Sequence, residues 1–139
     1  MAETHDLTRN QNLVLGALST ATGPLSAYGI LDQVRGEGIK APLQIYRALD
    51  RLVALGLVHR LESLNAFVAC AHARDKQAHG DHEGLAAFAI CESCGRVDEF
   101  ADDVVEERLG AWSRSTGFAS ERTTIEIRGH CADCVRAGR

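Results

Sequence analysis

Aromatic side chains are scarce in this 139-residue chain: two tyrosines, four phenylalanines and one tryptophan make up only 5% of it. Any hydrophobic core must therefore consist mainly of Leu, Val, Ile and Ala. The chain also lacks an apolar run close to the roughly 18 residues that a membrane-spanning helix needs. Its polar and acidic start, Met1–Asp6, is not typical of a signal peptide. We therefore expect a folded cytoplasmic protein with no membrane partner.

An excess of basic charge, which is usual in nucleic-acid-binding domains, is also missing. Fifteen Lys and Arg residues stand against 19 Asp and Glu residues, which gives a formal net charge of −4. Residues 1–62 hold six of each kind, so the whole deficit lies in residues 63–139. A DNA-binding surface would therefore use a local basic face of the first half, and bound divalent metal would offset acidity in the second.

Two Cys-x-x-Cys pairs are the most specific motifs of the sequence. Five cysteines in a chain without an export signal argue against a disulfide framework. Four of them form the pairs Cys91/Cys94 and Cys131/Cys134, which together could complete the tetrahedral S4 shell of a structural zinc ion. A redox dithiol and an iron–sulfur cluster are the alternatives. We favour zinc because a domain of about 55 residues benefits from a metal that stabilises its fold.

The first half of the chain predicts three helices followed by a hairpin. A capping box at Thr8–Gln11 starts a helix over about 8–21, and Ser26 can cap a second one. Pro42 suits the first turn of a third helix that ends before Gly56. Two strands follow, over about 57–61 and 66–70, and this order is typical of a winged helix. With a turn at Leu64-Asn65, residue 59 would face residue 70 across the hairpin.

One face of the third helix combines hydrogen-bonding and basic side chains, as a helix that enters a major groove requires. On composition alone, such a face is more often a solvated surface. Its members are Gln44, Arg47, Asp50 and Arg51, with Tyr46 at the boundary.

The segment between the two cysteine pairs predicts a strand over 96–100, a helix capped by Asp102 or Asp103, and a strand over 123–127. Gly117 should end the helix. The zinc ion would then join the start of a βαβ-like segment to its end.

A second group of possible metal ligands is more dispersed: His59, Cys70, His79, His82 and Glu99, with His72 nearby in the sequence. Two nitrogens, one sulfur and one carboxylate would suit a tetrahedral zinc ion. The thiolate argues against manganese and magnesium. A lone cysteine is, however, usually a small buried hydrophobic residue, and a loop histidine is usually solvated.

The combined pattern resembles the ferric uptake regulator (Fur) superfamily of bacterial metal-responsive repressors, and within it the zinc uptake regulator (Zur) branch. The resemblance extends from Leu7-Thr8 to Cys134. It rests on five stretches of sequence: Ile45–Leu49, Gly56–Arg60, Glu62–Cys70, Cys91-x-x-Cys94-Gly95-x-Val97-x-Glu99-Phe100 and the closing Cys131-x-x-Cys134.

The resemblance implies an α+β fold in two domains: a winged helix-turn-helix DNA-binding domain, then a small α/β dimerisation domain with zinc sites. We place them at 1–71 and 85–139, joined by a connecting loop at 72–84. It further implies that the four paired cysteines bind structural zinc. A regulatory zinc would bind His59, Cys70, His82 and Glu99, with His79 as the alternative to His82. Tyr28, Tyr46 and Arg47 match DNA-facing positions.

The implied function is that of a zinc-responsive repressor with zinc as corepressor, two zinc ions per chain and a homodimeric state. Its partner would be double-stranded DNA with an AT-rich palindromic operator near zinc-uptake genes, and it would take no small-molecule substrate. A relative that senses another metal or peroxide is one alternative. A purely structural zinc module is another. A zinc-dependent hydrolase is disfavoured because the chain contains no HExxH motif, so we expect no enzyme.

Overall fold

The computed structural model describes residues 6–70 and 85–138. The chain divides into two compact units, Met1–Arg74 and Asp75–Arg139. Within residues 6–70 the first contains three helices and a hairpin, and within residues 85–138 the second contains a three-stranded sheet with two helices. The α+β fold class predicted from the sequence is therefore confirmed. No helix within the described residues is long and apolar enough to cross a membrane.

The first unit consists of helices α1 (Arg9–Thr20), α2 (Ala27–Val34) and α3 (Pro42–Ala54), with a 3-10 turn at Arg35–Glu37 after α2. Both predicted caps are present. Thr8 and Gln11 form the capping box of α1, and the Ser26 hydroxyl accepts a hydrogen bond from the Gly29 N–H. The apolar stripes of the three helices meet in an aliphatic core, whose fully enclosed members include Val14, Ile30, Ile45, Leu49 and Leu52.

A hairpin of β1 (Val58–Leu61) and β2 (Ala66–Ala69) completes the first unit. Leu25 and Phe67 exchange backbone hydrogen bonds of 3.0 and 2.8 Å, so β2 is attached to the segment that precedes α2. This pairing orients the hairpin relative to the helices.

The predicted hairpin register is wrong by two residues. His59 pairs with Val68, and not with Cys70, because the loop is a four-residue turn over 62–65 and not a two-residue turn at Leu64-Asn65. Asn65 adopts φ = 48°, a left-handed conformation that asparagine tolerates better than most residues. Alternate residues of a strand share a face, so Cys70 still lies on the same side of the hairpin as His59, as a diagonal neighbour.

The second unit is built on β3 (Leu85–Cys91), which pairs antiparallel with β4 (Val97–Phe100) and parallel with β5 (Thr123–Gly129). Helix α4 (Asp103–Thr116) connects β4 to β5, and the short helix α5 (Ala132–Arg136) follows. Asp102 caps α4, and Gly117 at φ = 71° ends it, as predicted. The parallel pair is thus β3 and β5, whereas the sequence had suggested a βαβ-like segment that begins at β4.

The central strand β3 was not predicted from the sequence. Its residues Leu85-Ala86-Ala87-Phe88-Ala89-Ile90 show neither the alternation of a half-buried strand nor a high content of β-branched residues. The signal that remained was a short uninterrupted apolar run, which is typical of a strand covered on both faces.

Replacing Leu52, which is fully buried, tests the core of the first unit. We expect Leu52→Ala to lower the free energy of unfolding of this unit by about 2–5 kcal/mol, because the change removes apolar contacts and leaves a cavity. Denaturant unfolding followed by circular dichroism measures the change. Leu43→Ala, at a side chain that is 58% exposed, is the matched control and should change it by less than about 0.5 kcal/mol.

Candidate metal centres and DNA-binding face

The four paired cysteines meet at one end of the sheet of the second unit. Cys91 is the last residue of β3, and it lies in register with Gly129, the last residue of β5. Cys131 follows two residues later and is the N-cap residue of α5, which carries Cys134. The parallel pairing therefore brings together two motifs that are 36 residues apart in the chain.

The sulfur positions fit a tetrahedral zinc ion. The Sγ atoms of Cys91 and Cys134 are 3.7 Å apart, those of Cys94 and Cys131 are 3.8 Å apart, and all four lie within 4.8 Å of one another. Zinc–sulfur bonds of about 2.3 Å in a tetrahedron place neighbouring sulfurs about 3.8 Å apart. A disulfide would require about 2.05 Å. The cluster therefore has the dimensions of an S4 metal site and not those of a pair of disulfides.

Backbone geometry prepares Cys91 to bind metal as a thiolate. The backbone N–H groups of Cys131 and Cys94 donate to its Sγ at 3.3 and 3.5 Å, and these bonds lower the pKa of the thiol to about 5. A hydrogen bond with the Cys131 thiol, together with burial, raises the pKa of Cys134 to about 12. Cys91 is thus prepared to bind metal as a thiolate, whereas the Cys134 thiol must lose its proton when metal binds.

Polar contacts join the two cysteine loops around the sulfurs. Ser93 Oγ lies 2.7 Å from His130 Nδ1, the Glu92 N–H donates to the Gly129 carbonyl at 2.7 Å, and Arg128 pairs with the Glu92 carboxylate at 2.8 Å. Sequence reasoning missed these contacts. The available signal was the position of a histidine directly before the second cysteine pair.

In the first unit, the hairpin brings His59 and Cys70 together. A ring nitrogen of His59 and Sγ of Cys70 lie within 4.8 Å of one another. Cys70 is buried, and its backbone N–H donates to the Leu57 carbonyl at 2.9 Å. A nitrogen and a thiol at this separation can serve as two ligands of a single ion.

The remaining predicted ligands of the second metal site, Glu99, His79 and His82, lie outside the first unit's hairpin. Glu99 lies on β4 of the second unit, opposite Phe88, and is half-buried. His79 and His82 lie outside the described residues.

The predicted DNA-binding side chains are exposed on the helices of the first unit. Tyr28 on α2 is 62% exposed and Tyr46 on α3 is 40% exposed, while Arg47 and Arg51 are solvent-accessible on α3. Gln44 is also exposed, but its Oε1 accepts hydrogen bonds from the Lys40 and Ala41 N–H groups at 3.2 and 3.3 Å. Its carbonyl therefore caps the start of α3.

Because the contact between Ser93 and His130 joins the two cysteine loops, we expect the four-cysteine site to lose metal more slowly with this contact than without it. We expect His130→Ala to release zinc to a chromogenic chelator about tenfold faster than the unchanged chain, because hydrogen bonds around a metal site typically affect its affinity by 10- to 100-fold. Ser93→Ala should have the same effect, and the double variant should be no faster than either single variant. Release rates that simply multiply in the double variant would contradict a shared contact.

Comparison with known proteins places the chain in a family. The model of the ferric uptake regulator family matches residues 6–128. The zinc uptake regulation protein of Escherichia coli (strain K12) is 38% identical over 130 residues, which cover 93% of this chain and 72% of that protein. A solved zinc uptake regulator complexed with zinc and DNA matches with a TM-score of 0.84 at 34% identity. The match covers 95% of this chain and 85% of the regulator's chain. The crystal structure of holo XcZur has a TM-score of 0.80 at 41% identity, with coverages of 94% and 86%. The chain belongs to the ferric uptake regulator family.

Proposed function

We propose that this chain is a zinc-responsive transcriptional repressor that binds double-stranded DNA as a homodimer, with zinc as its corepressor. The genes that it controls would be those of zinc uptake and homeostasis. The proposal is supported by similarity to the zinc uptake regulation protein of E. coli and to a regulator solved with zinc and DNA. The observation that carries it is the proximity of His59 and Cys70, because it sets a nitrogen–sulfur ligand pair in the unit that also presents the DNA-binding face.

The four-cysteine cluster would bind the structural zinc. Cys91, Cys94, Cys131 and Cys134 supply a complete tetrahedral shell, which leaves no open position for a substrate or an activated water. Such a site stabilises the fold of the domain and does not support hydrolysis. We therefore propose that the chain is not an enzyme, and that it acts in the cytoplasm, where reduced thiols persist.

A second zinc ion would regulate the chain. We assign it His59, Cys70, Glu99 and His82, with His79 as the alternative histidine. These ligands belong to three segments of the chain: the winged helix at 1–71, the connecting loop at 72–84 and the dimerisation domain at 85–139. A single ion held by all three segments would restrict their relative motion. Zinc would thereby favour the arrangement in which a dimer presents two reading helices to successive major-groove faces, about 10 bp apart.

Cys70→Ser separates regulatory from structural zinc. We expect this variant to retain one tightly bound zinc per chain and its fold, because the four-cysteine cluster is unchanged. Its affinity for operator DNA should no longer rise with added zinc. Metal content after dialysis and an electrophoretic mobility shift with and without zinc are the two measurements.

The matched control is Cys134→Ser, which should lose the structural zinc and unfold the second unit. Repression or zinc-dependent DNA binding by Cys70→Ser at the level of the unchanged chain would refute the regulatory assignment. Measuring binding of the chain to the same DNA in titrations with Fe²⁺, Mn²⁺ and Ni²⁺, and after exposure to peroxide, would reveal a regulator that senses another metal or peroxide.

Exposed side chains of α2 and α3 would bind the operator. Arg47 and Arg51 can donate to phosphates or to guanine, and Tyr28 and Tyr46 supply further polar contacts. Arg47 also lines an open cleft with Asn10 and Gln11 of α1, whose amides are suited to the DNA backbone. We propose an AT-rich palindrome as the operator, since a symmetric dimer requires two related half-sites.

Helix α4 would provide part of the dimer interface. None of its residues, all within the described part of the chain, is buried. Its apolar side chains nevertheless form one stripe, in which Val105, Leu109 and Trp112 are 38%, 39% and 56% exposed. The Trp112 ring lies 5.6 Å from that of Phe118, which extends the apolar surface. An amphipathic helix with an uncovered apolar stripe is typical of an association surface, and we assign it to a second copy of this chain.

Trp112→Glu tests the dimer. We expect the zinc-loaded variant to sediment as a 15.0 kDa monomer at micromolar concentration, because the change places a charge within the apolar stripe. Glu107→Ala is the control, since Glu107 lies on the opposite face of α4, where it pairs with Arg114 at 3.0 Å. A Trp112→Glu chain that remains dimeric would exclude this surface from the interface.

A further inference from the structure

An apolar side chain occupies the first turn of the helix that would read DNA. Leu43 is the second residue of α3 and is 58% exposed, outside the buried core of the first unit. Residues three and four positions apart are neighbours on a helix surface. Leu43 therefore lies beside Tyr46 and Arg47, two of the proposed DNA-binding residues. The side chain therefore contributes little to the core and is accessible to a binding partner.

The neighbouring Gln44 is poorly placed to read a base. Glutamine recognises adenine with both its carbonyl oxygen and its amide nitrogen. The Gln44 Oε1 already accepts hydrogen bonds from the backbone N–H groups of Lys40 and Ala41. Ala41 is the N-cap residue of α3 and has no side-chain acceptor of its own, so Gln44 satisfies backbone donors that would otherwise lack a partner at the helix start.

We propose that Leu43 reads a thymine through its C5-methyl group, and that Gln44 positions the start of the reading helix instead of contacting a base. The first residues of a recognition helix are those that reach base edges. The thymine methyl is the apolar group that the standard bases present in the major groove, and apolar side chains contact it. The flanking basic residues Lys40 and Arg47 match the negative charge of the adjacent phosphates. This inference rests on the proposed DNA-binding function.

The test compares thymine with deoxyuridine, which differs only by the missing methyl group. The probe is the duplex that the zinc-loaded full chain itself enriches from a randomised pool, with each thymine replaced singly by deoxyuridine. Dissociation constants are measured at one fixed salt concentration. At one position of a half-site, the unchanged chain should lose about fourfold in affinity, the value for burial of one methyl-sized group.

Leu43→Ala should bind the thymine and deoxyuridine forms of that duplex within a factor of about 1.5, whereas Leu43→Met should restore the difference. Gln44→Ala should leave the preference at every adenine unchanged. An equal deoxyuridine effect in the unchanged chain and in Leu43→Ala, or no effect at any thymine, would overturn the role of Leu43. A relaxed adenine preference in Gln44→Ala would overturn that of Gln44. If no duplex is enriched in the presence of zinc, the proposed DNA-binding function itself fails.

Discussion

The parallel pairing of β3 with β5 is the interaction on which the metal chemistry of the second unit depends. It aligns Cys91 with Gly129, so the turn after one strand and the turn after the other begin at the same end of the sheet. The sulfurs then need only the local geometry of the turn after β3 and of the start of α5 to reach separations of 3.7 and 3.8 Å. A bound zinc ion would in return stabilise the strand pairing, because a small sheet with a limited core gains much of its stability from a metal site.

The first unit depends on a different constraint, the attachment of the hairpin to the helices. The Leu25–Phe67 bridge and the aliphatic core set the orientation of β2 relative to α2 and α3. The hairpin carries His59 and Cys70, while α3 carries the exposed Tyr46 and Arg47. Two of the proposed metal ligands and the proposed DNA-binding side chains of α3 therefore belong to one compactly packed unit, in which their mutual geometry is set by the core.

Two exposed apolar side chains lie on surfaces to which we assign binding partners. Leu43 and Trp112 are large apolar residues left at the surface. Each lies on a helix to which we assign a binding partner, DNA for α3 and a second copy of the chain for α4. The overall negative charge does not conflict with DNA binding, since the acidic excess lies in residues 63–139 and the first unit is nearly neutral.

Local features could be predicted from the sequence because they depend on residues a few positions apart. These include the caps at Thr8, Ser26 and Asp102, the helix end at Gly117 and the two cysteine pairs.

The hairpin register could not be predicted, because it depends on whether the turn comprises two or four residues, and both loops are compatible with the same apolar pattern. Strand β3 escaped prediction because three of its residues are alanines, so its strand conformation is decided by the neighbours that pair with it on both sides. The contact between Ser93 and His130 likewise arises only when parallel strands bring distant loops together. The sequence by itself thus determined where helices α1 to α4 begin and which side chains can bind metal. Tertiary pairing alone decided which of those side chains meet, because contacts between residues distant in the chain are set by the packing of whole elements.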